Sequence, residues 1–279
     1  MKKTFQLLLL LSVFFTITSC AKKQINSPIP SGNRENKVHL LLYFPDKNAI
    51  YLIPEDRYAP LNDSFEKTVV LELLKGPSDR NKNNPIPKGT KLLSIAKNND
   101  LITVNFSKEI TKNHPGGSTG EMLTVYSIVN SLTEIPGVKK VKFQIEGKDI
   151  ITLAGHLAMD KPLTRNRDLL NRNKRLSPSD VVKLQMGYEI DEKWLNAYIL
   201  YSDDENNLSR LYYNDYILEM ENTKAQGFIT GNYTVDNYIV DKTGNKAQVK
   251  VHFKDLNKDI NISTIKIGGV WLVDWSAPQ

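Results

Sequence analysis

Between Lys246 and Phe253 the chain alternates strictly. Ala247, Val249, Val251 and Phe253 are apolar, and Gln248, Lys250 and His252 stand between them. A two-residue period cannot bury one side of a helix, so it requires a strand with one covered face. Gly268-Gly269, between Ile265–Ile267 and Val270–Trp275, adds the kind of pair that closes a tight hairpin. The residues before this segment follow another rhythm. From Val181 to Met220 the apolar spacing is helical, with Trp194, Ala197, Tyr198 and Tyr201 on one side and Tyr212, Tyr213 and Tyr216 continuing the pattern. Helix followed by antiparallel strands predicts, over 181–279, a sheet curled around an N-terminal helix.

Residues 38–164 mix the two periods. Val38–Phe44 (VHLLLYF) is short and apolar, as a buried strand is, and Tyr51–Ile53 reads as a second strand beyond the turn-like Pro45–Asn48. Asn62-Asp63-Ser64 offers caps for a helix in which Phe65, Val69 and Leu73 recur, with Glu66, Lys67 and Glu72 expected outside; Gly76-Pro77 ends it. Strands are expected at Lys91–Ala96, Ile102–Phe106 and Val138–Ile145, with Asn98-Asn99-Asp100 as a hairpin turn. A second helix lies between Gly120 and Pro136, its buried stripe marked by Met122, Val125, Val129 and Leu132. The order predicts an α+β sandwich with both helices on one sheet face. Residues 165–180 join the two regions. Pro162 and Pro178 bracket the joint, and Arg165, Arg167, Arg172, Lys174 and Arg175 make it a basic, solvated linker.

The N-terminus sets the compartment. Lys2 and Lys3 precede the apolar run Leu7–Phe15, which is too short for a bilayer span of about 20 residues and suits a signal peptide over 1–19. The run leads to Ile17-Thr18-Ser19-Cys20, which resembles the bacterial lipobox, and Cys20 is the sole cysteine. Lipidation there places the protein outside the cytoplasm, anchored to the membrane, with 20–37 as a flexible tether rich in Pro, Ser, Gly and Asn. Removal of Lys2 and Lys3 lowers the formal charge of +6 to +4. That excess is no nucleic-acid signature; it fits work near anionic lipids or wall polymers, and equally an ordinary solubility charge.

A set of short motifs in the first region resembles the GerMN domain family of spore germination and sporulation lipoproteins. They are Tyr43-Phe44-Pro45-Asp46, Leu52–Glu55, Leu73–Pro77, Ile86–Thr90, Val104–Ser107, Glu121, Tyr126–Thr133, Phe143 with Ile145-Glu146-Gly147, and Gly155-His156. Asn105 and Ser131 stand where the family usually has Asp and Thr. The resemblance implies a non-catalytic scaffold in sporulation or germination assemblies, with envelope or sporulation-complex proteins as partners and no cofactor. The fold it implies is a GerMN-type two-helix, mixed-sheet domain. Gly76, Pro77, Pro87, Gly89, Ser127, Asn130, Glu146 and Gly147 are its structural or interaction candidates. Ser127, Asn130 and Thr133 share a helix face from which they can bond loop backbone. The ending Gly269–Trp275 resembles, loosely, the cystatin or nuclear-transport-factor-like cone, which hosts enzymes and binding modules alike. The alternative is therefore a cell-wall or small-ligand binding lipoprotein using its C-terminal region.

Reactive chemistry is sparse. His39, His114, His156 and His252 are scattered, so no zinc set forms, and no nucleophile elbow or phosphate loop appears. His156 is a possible base, though a packing or hydrogen-bonding role suits a lone histidine better. His114–Ser118 could receive an anion before a helix, but a plain loop capped by Ser118 or Thr119 is the simpler expectation. Asp203-Asp204-Glu205 lacks the rest of a calcium loop and reads as a solvated turn. Trp271 and Trp275 offer a sugar platform or, more simply, core packing.

Overall fold

A computed structural model describes residues 37–204, 206–227 and 229–275. The expected signal peptide, Cys20 and nearly all of the expected tether therefore lie outside the described residues, as does Glu205.

The chain opens with a long hairpin, β1 (Lys37–Pro45) against β2 (Leu52–Pro60), paired over its full length. Asp46 holds the turn by accepting from the Ile50 and Tyr51 amides at 2.7 and 3.1 Å. The second strand is much longer than the expected Tyr51–Ile53. Pro54, Glu55, Asp56, Arg57 and Pro60 lie on β2, which among the described residues pairs along its length with β1 alone, apart from one bridge between Leu52 and Leu170, and such an edge tolerates proline and charge. Helix α1 (Phe65–Leu74) follows, its N-cap Ser64 accepting from the Lys67 amide. It stops at Gly76, whose φ of +80° suits glycine. Glu72, expected outside, is buried: Arg57 of β2 reaches it from one side and Lys75 from the other.

The next hairpin, β3 (Leu92–Asn98) and β4 (Leu101–Phe106), turns at Asn99 with φ +54°. The chain then crosses over through α2 (Glu109–Lys112) and α3 (Ser118–Leu132) to β5 (Lys140–Ile145), which lies parallel to β4. Two short strands, β6 (Lys148–Asp149) and β7 (Leu163–Thr164), complete this mixed sheet by pairing with β5. The first region is thus α+β with a mixed sheet, but the single expected sheet is corrected: β1–β2 forms a separate sheet. Helix α3 packs between them, against β1 and β5, so it is buried almost all round. Its expected stripe is corrected accordingly. Met122 is only half-buried, whereas Glu121, Leu123, Ser127, Ile128 and Asn130 are buried.

The second region begins with α4 (Pro178–Ile190), entered through a reciprocal Ser177–Asp180 capping box. Short α5 (Trp194–Tyr198) and α6 (Tyr213–Ala225) follow. Then comes an antiparallel sheet ordered β11-β10-β9-β8, made of β8 (Tyr233–Val240), β9 (Lys246–Phe253), β10 (Lys258–Ile267) and β11 (Val270–Val273). Gly268 and Gly269 both take positive φ in the β10–β11 turn, as a two-residue hairpin requires.

Three apolar cores result among the described residues. Leu40, Leu42 and Phe44 point from β1 into the first, with Val69 and Leu73 of α1, Ile128 and Leu132 of α3, and Val104 and Phe143 of the mixed sheet. Leu41 and Tyr43 point from the other face of β1 into the second, where Ala197, Tyr198, Tyr216 and Ile217 of α5 and α6 meet them. In the third, Val181 and Val182 of α4 cover Ala247, Val249, Val251 and Trp271. β1 reads as one apolar run because each of its faces lines a different core.

Candidate functional site

The residues singled out by motif do not converge. Gly76, Pro77, Pro87 and Gly89 shape the segment between α1 and β3. Arg57 donates to the Gly76 carbonyl at 3.0 Å, and the Thr90 hydroxyl donates to that of Pro87 at 2.7 Å. Glu146 and Gly147, both at positive φ, form the β5–β6 turn; the Glu146 carboxylate accepts from the Lys108 amide at 2.8 Å. On α3, Asn130 grips the Asn166 backbone through both ends of its amide, at 3.0 Å each. Ser127 makes no such bond, since its buried Oγ has no partner, and Thr133 turns back to Val129 of its own helix.

Glu121, in the first turn of α3, is fully buried and carries no countercharge nearby in its bonding. Its oxygens accept from the Thr152 hydroxyl and from the amides of Leu153, Ala154, His156 and Leu157 at 2.7–3.2 Å. Burial works to raise its pKa, but these donors outweigh burial and hold it below the ordinary carboxylate value. The His156 ring is exposed and its amide is a rung of this clamp, which leaves the histidine a structural part. His114 accepts from the Gly116 amide and meets Thr124, and burial lowers its pKa. The expected caps are corrected: α3 starts after Gly117, and neither Ser118 nor Thr119 caps it.

The main polar cluster lies where the two regions meet. Glu134, just past α3, is buried and pairs with Arg165 and with Arg210 (2.7 Å), while the hydroxyls of Tyr43 and Tyr198 also reach it, at 2.9 and 3.3 Å. Asp203 is bound by Arg167 at 3.0 Å and Arg172 at 2.9 Å, with Arg165 at 3.6 Å. Burial alone would raise both carboxyls; the arginines prevail and keep both below the ordinary range. The solvated-linker reading of 165–180 is therefore corrected for Arg165, Arg167 and Arg172, while Lys174 and Arg175 are exposed as expected. β7 returns the chain beside β5, delivers Arg165 to the end of α3, and leaves Arg165 and Arg172 largely buried. Asp203 likewise is no solvated turn residue. Arginines on a Pro-bracketed, polar stretch look like surface charge; only their partners, 31 and 36 positions away, reveal the cluster.

Beside the cluster lies a cavity of about 270 Å³, walled by residues of both regions, among them Arg172, Tyr188, Asp203, Arg210 and Trp271. The sugar platform is not formed. Trp271 is buried in the third core, and Trp275 stacks on Tyr201 at 4.1 Å with its indole N–H on the Ser202 carbonyl.

Residues 41–151 match a family model. It is the Germane family, described as sporulation and spore germination. Solved structures similar to this chain include a putative lipoprotein from Clostridium perfringens, 25% identical over 46% of this chain and 88% of that one, with a TM-score of 0.34. The first GerMN domain of the Bacillus subtilis sporulation protein GerM is 23% identical over 47% of this chain and 98% of that domain, with a TM-score of 0.40. For the tandem GerMN domains of the same protein the identity is 21%, with 46% of each chain covered and a TM-score of 0.41. No curated protein matches. GerMN-type domains are non-catalytic. Glu121, Glu134 and Asp203 are each committed to structural partners, and no three metal-ligating side chains cluster among the described residues. No helix of the described residues is long and apolar enough to cross a membrane.

Proposed function

We propose that this chain is a non-catalytic scaffold lipoprotein, tethered through Cys20 to the outer face of the membrane, which docks envelope or sporulation-complex proteins during sporulation or germination. The observation that carries the reading is the match of residues 41–151 to a sporulation and spore germination family. Its first region also offers a docking element. β3 is the outermost strand of the mixed sheet, without a strand partner on its outer side among the described residues, and Leu93 on it is 46% exposed. An open strand edge with exposed apolar side chains is a template for pairing with another chain. The region of residues 38–164 would serve as the docking module, and 181–279 as a cone-like module of cystatin or nuclear-transport-factor type.

The test is affinity isolation of the anchored full chain from sporulating and vegetative cells, beside Leu93→Lys, which blunts the edge. Wild type should recover envelope or sporulation proteins that the variant loses. Equal recovery by both sinks β3 as the docking element, and recovery of wall glycan alone sinks the scaffold. Cys20→Ala should move the protein from the membrane fraction to the soluble one; unchanged fractionation removes the anchor.

A further inference from the structure

Strand β8 is the last strand of the second sheet, with no strand beyond it among the described residues. It ends in three consecutive large apolar residues, Tyr238, Ile239 and Val240, which are 41%, 78% and 40% exposed. Tyr238 and Val240 stand opposite Val249 and Ala247, so they share the face that α4 packs on; Ile239 stands opposite Gln248, on the other face. Apolar side chains are therefore open on both faces of one sheet edge. Proteins commonly blunt such an edge with charge, proline or a bulge. Here the bulge falls at Asp236-Asn237, before the apolar run, and leaves that run in regular pairing with β9.

The backbone of this run has a defined direction. Across the β8–β9 turn the Asp241 amide donates to the Lys246 carbonyl at 2.9 Å. Bonded and unbonded pairs alternate along an antiparallel ladder. Ile239 thus directs its backbone groups to β9, while Tyr238 and Val240 direct theirs to the open edge.

We propose that β8 pairs antiparallel with β8 of a second copy of this chain, about a two-fold axis at Ile239. In that register Tyr238 and Val240 of one copy exchange backbone bonds with Val240 and Tyr238 of the other, and the two Ile239 side chains meet. Asp236 comes alongside Lys242 of the other copy, twice by symmetry. Both residues are exposed, and neither has an ion pair among the described residues; Lys250, which lies near Asp236, bonds Asp259 at 2.7 Å. An axis at Tyr238 or at Val240 would instead set Asp236 or Lys242 against an apolar residue. This self-complementary charge favours a second copy over an unrelated strand. The edge belongs to the second region, and the pairing is independent of the docking role of β3.

Oxidative cross-linking of the detergent-solubilised full chain tests the axis, with Ile239→Cys beside Asn237→Cys and with wild type as the control for Cys20. Unbonded partners in an antiparallel pair have Cα atoms about 4.5 Å apart, inside the roughly 4.4–6.8 Å that a disulfide spans, whereas residue 237 lies off the axis. Ile239→Cys should form a covalent dimer about tenfold faster than Asn237→Cys. Sedimentation velocity tests the charge match. Wild type should dimerise as concentration rises, Asp236→Lys and Lys242→Asp should each weaken the dimer by about fivefold, and the two together should restore it. These positions are exposed, so the variants should keep the wild-type thermal melt. The proposal is overturned by equal cross-linking at 239 and 237, by a wild type that stays monomeric at every concentration, or by a double variant no tighter than the single ones.

Discussion

Glu121 and Glu134 sit at opposite ends of α3, both buried and both held below the ordinary carboxylate pKa, yet they are satisfied in different ways. Glu121 gathers four backbone amides and a hydroxyl from residues 152–157 of its own region. Glu134 is matched by Arg165 from the joint, Arg210 from the second region, and two tyrosines brought from β1 and α5. The first carboxylate pins a loop, and the second joins two halves of the molecule. A backbone clamp needs only local geometry, whereas an arginine cluster needs both regions folded and in contact.

The comparison is most severely tested at Glu134. Glu134→Ala leaves Arg165 and Arg210 buried without that countercharge, a change that costs about 3–5 kcal/mol. Urea unfolding should show that loss, together with a split into two transitions as the regions uncouple. A single transition of wild-type midpoint would remove Glu134 from this role. Glu121→Gln should cost less, roughly 1.5–3 kcal/mol, because the amide nitrogen cannot accept, so the donors on one oxygen lose their acceptor while those on the other stay engaged. Hydrogen exchange should quicken at residues 153–157 and stay slow around Arg165; equal quickening in both places would erase the distinction between local and long-range clamps.

Acid probes both carboxylates together. Their folded pKa values lie below the unfolded value of about 4.3, so each contributes stability that is present above that pH and lost as pH falls through the folded pKa. Glu189 has the opposite sign. Burial raises its pKa against hydrogen bonds from Gln185, Tyr216 and Tyr201, and no arginine or lysine is among its bonding partners. Its stabilising term is present below the unfolded value and lost as pH rises through the folded one. Relative to Glu189→Gln, wild type should lose stability as pH rises from 4, by at most roughly 1.4 kcal/mol per pH unit. Parallel curves would refute the assignment. The smallest effect belongs to a purely local device: Ser64→Ala should cost about 1 kcal/mol and leave the seam and the Glu121 clamp unaltered in hydrogen exchange.

Several elements were legible in the residues. The β9 alternation, the Gly268-Gly269 turn, Ser64 and Gly76 around α1, and the apolar run of β1 act over a few positions, and the pattern of a few positions reports them. The start of β2 was legible but its run beyond Ile53 was not, because proline and charge are tolerated on an edge that only its pairing with β1 reveals. Glu72 looked like a surface residue because the spacing on α1 cannot announce that Arg57 will come to meet it. Of the polar cluster, the sequence shows five basic side chains between two prolines, a pattern common to solvated linkers.

Sequence alone determined the strands β1, β3, β4, β5, β9 and β11, the helices α1 and α3 and several of the turns, since period, caps and glycine conformations act locally. It also carried the motifs that match residues 41–151 to a sporulation family. Tertiary structure decided that β1 faces two cores, that α3 is enclosed between two sheets, and that Glu134 and Asp203 draw in arginines from more than 30 positions away. The physical reason is that burying a charge is a property of everything that surrounds it, and those neighbours are assembled only when the chain has closed on itself.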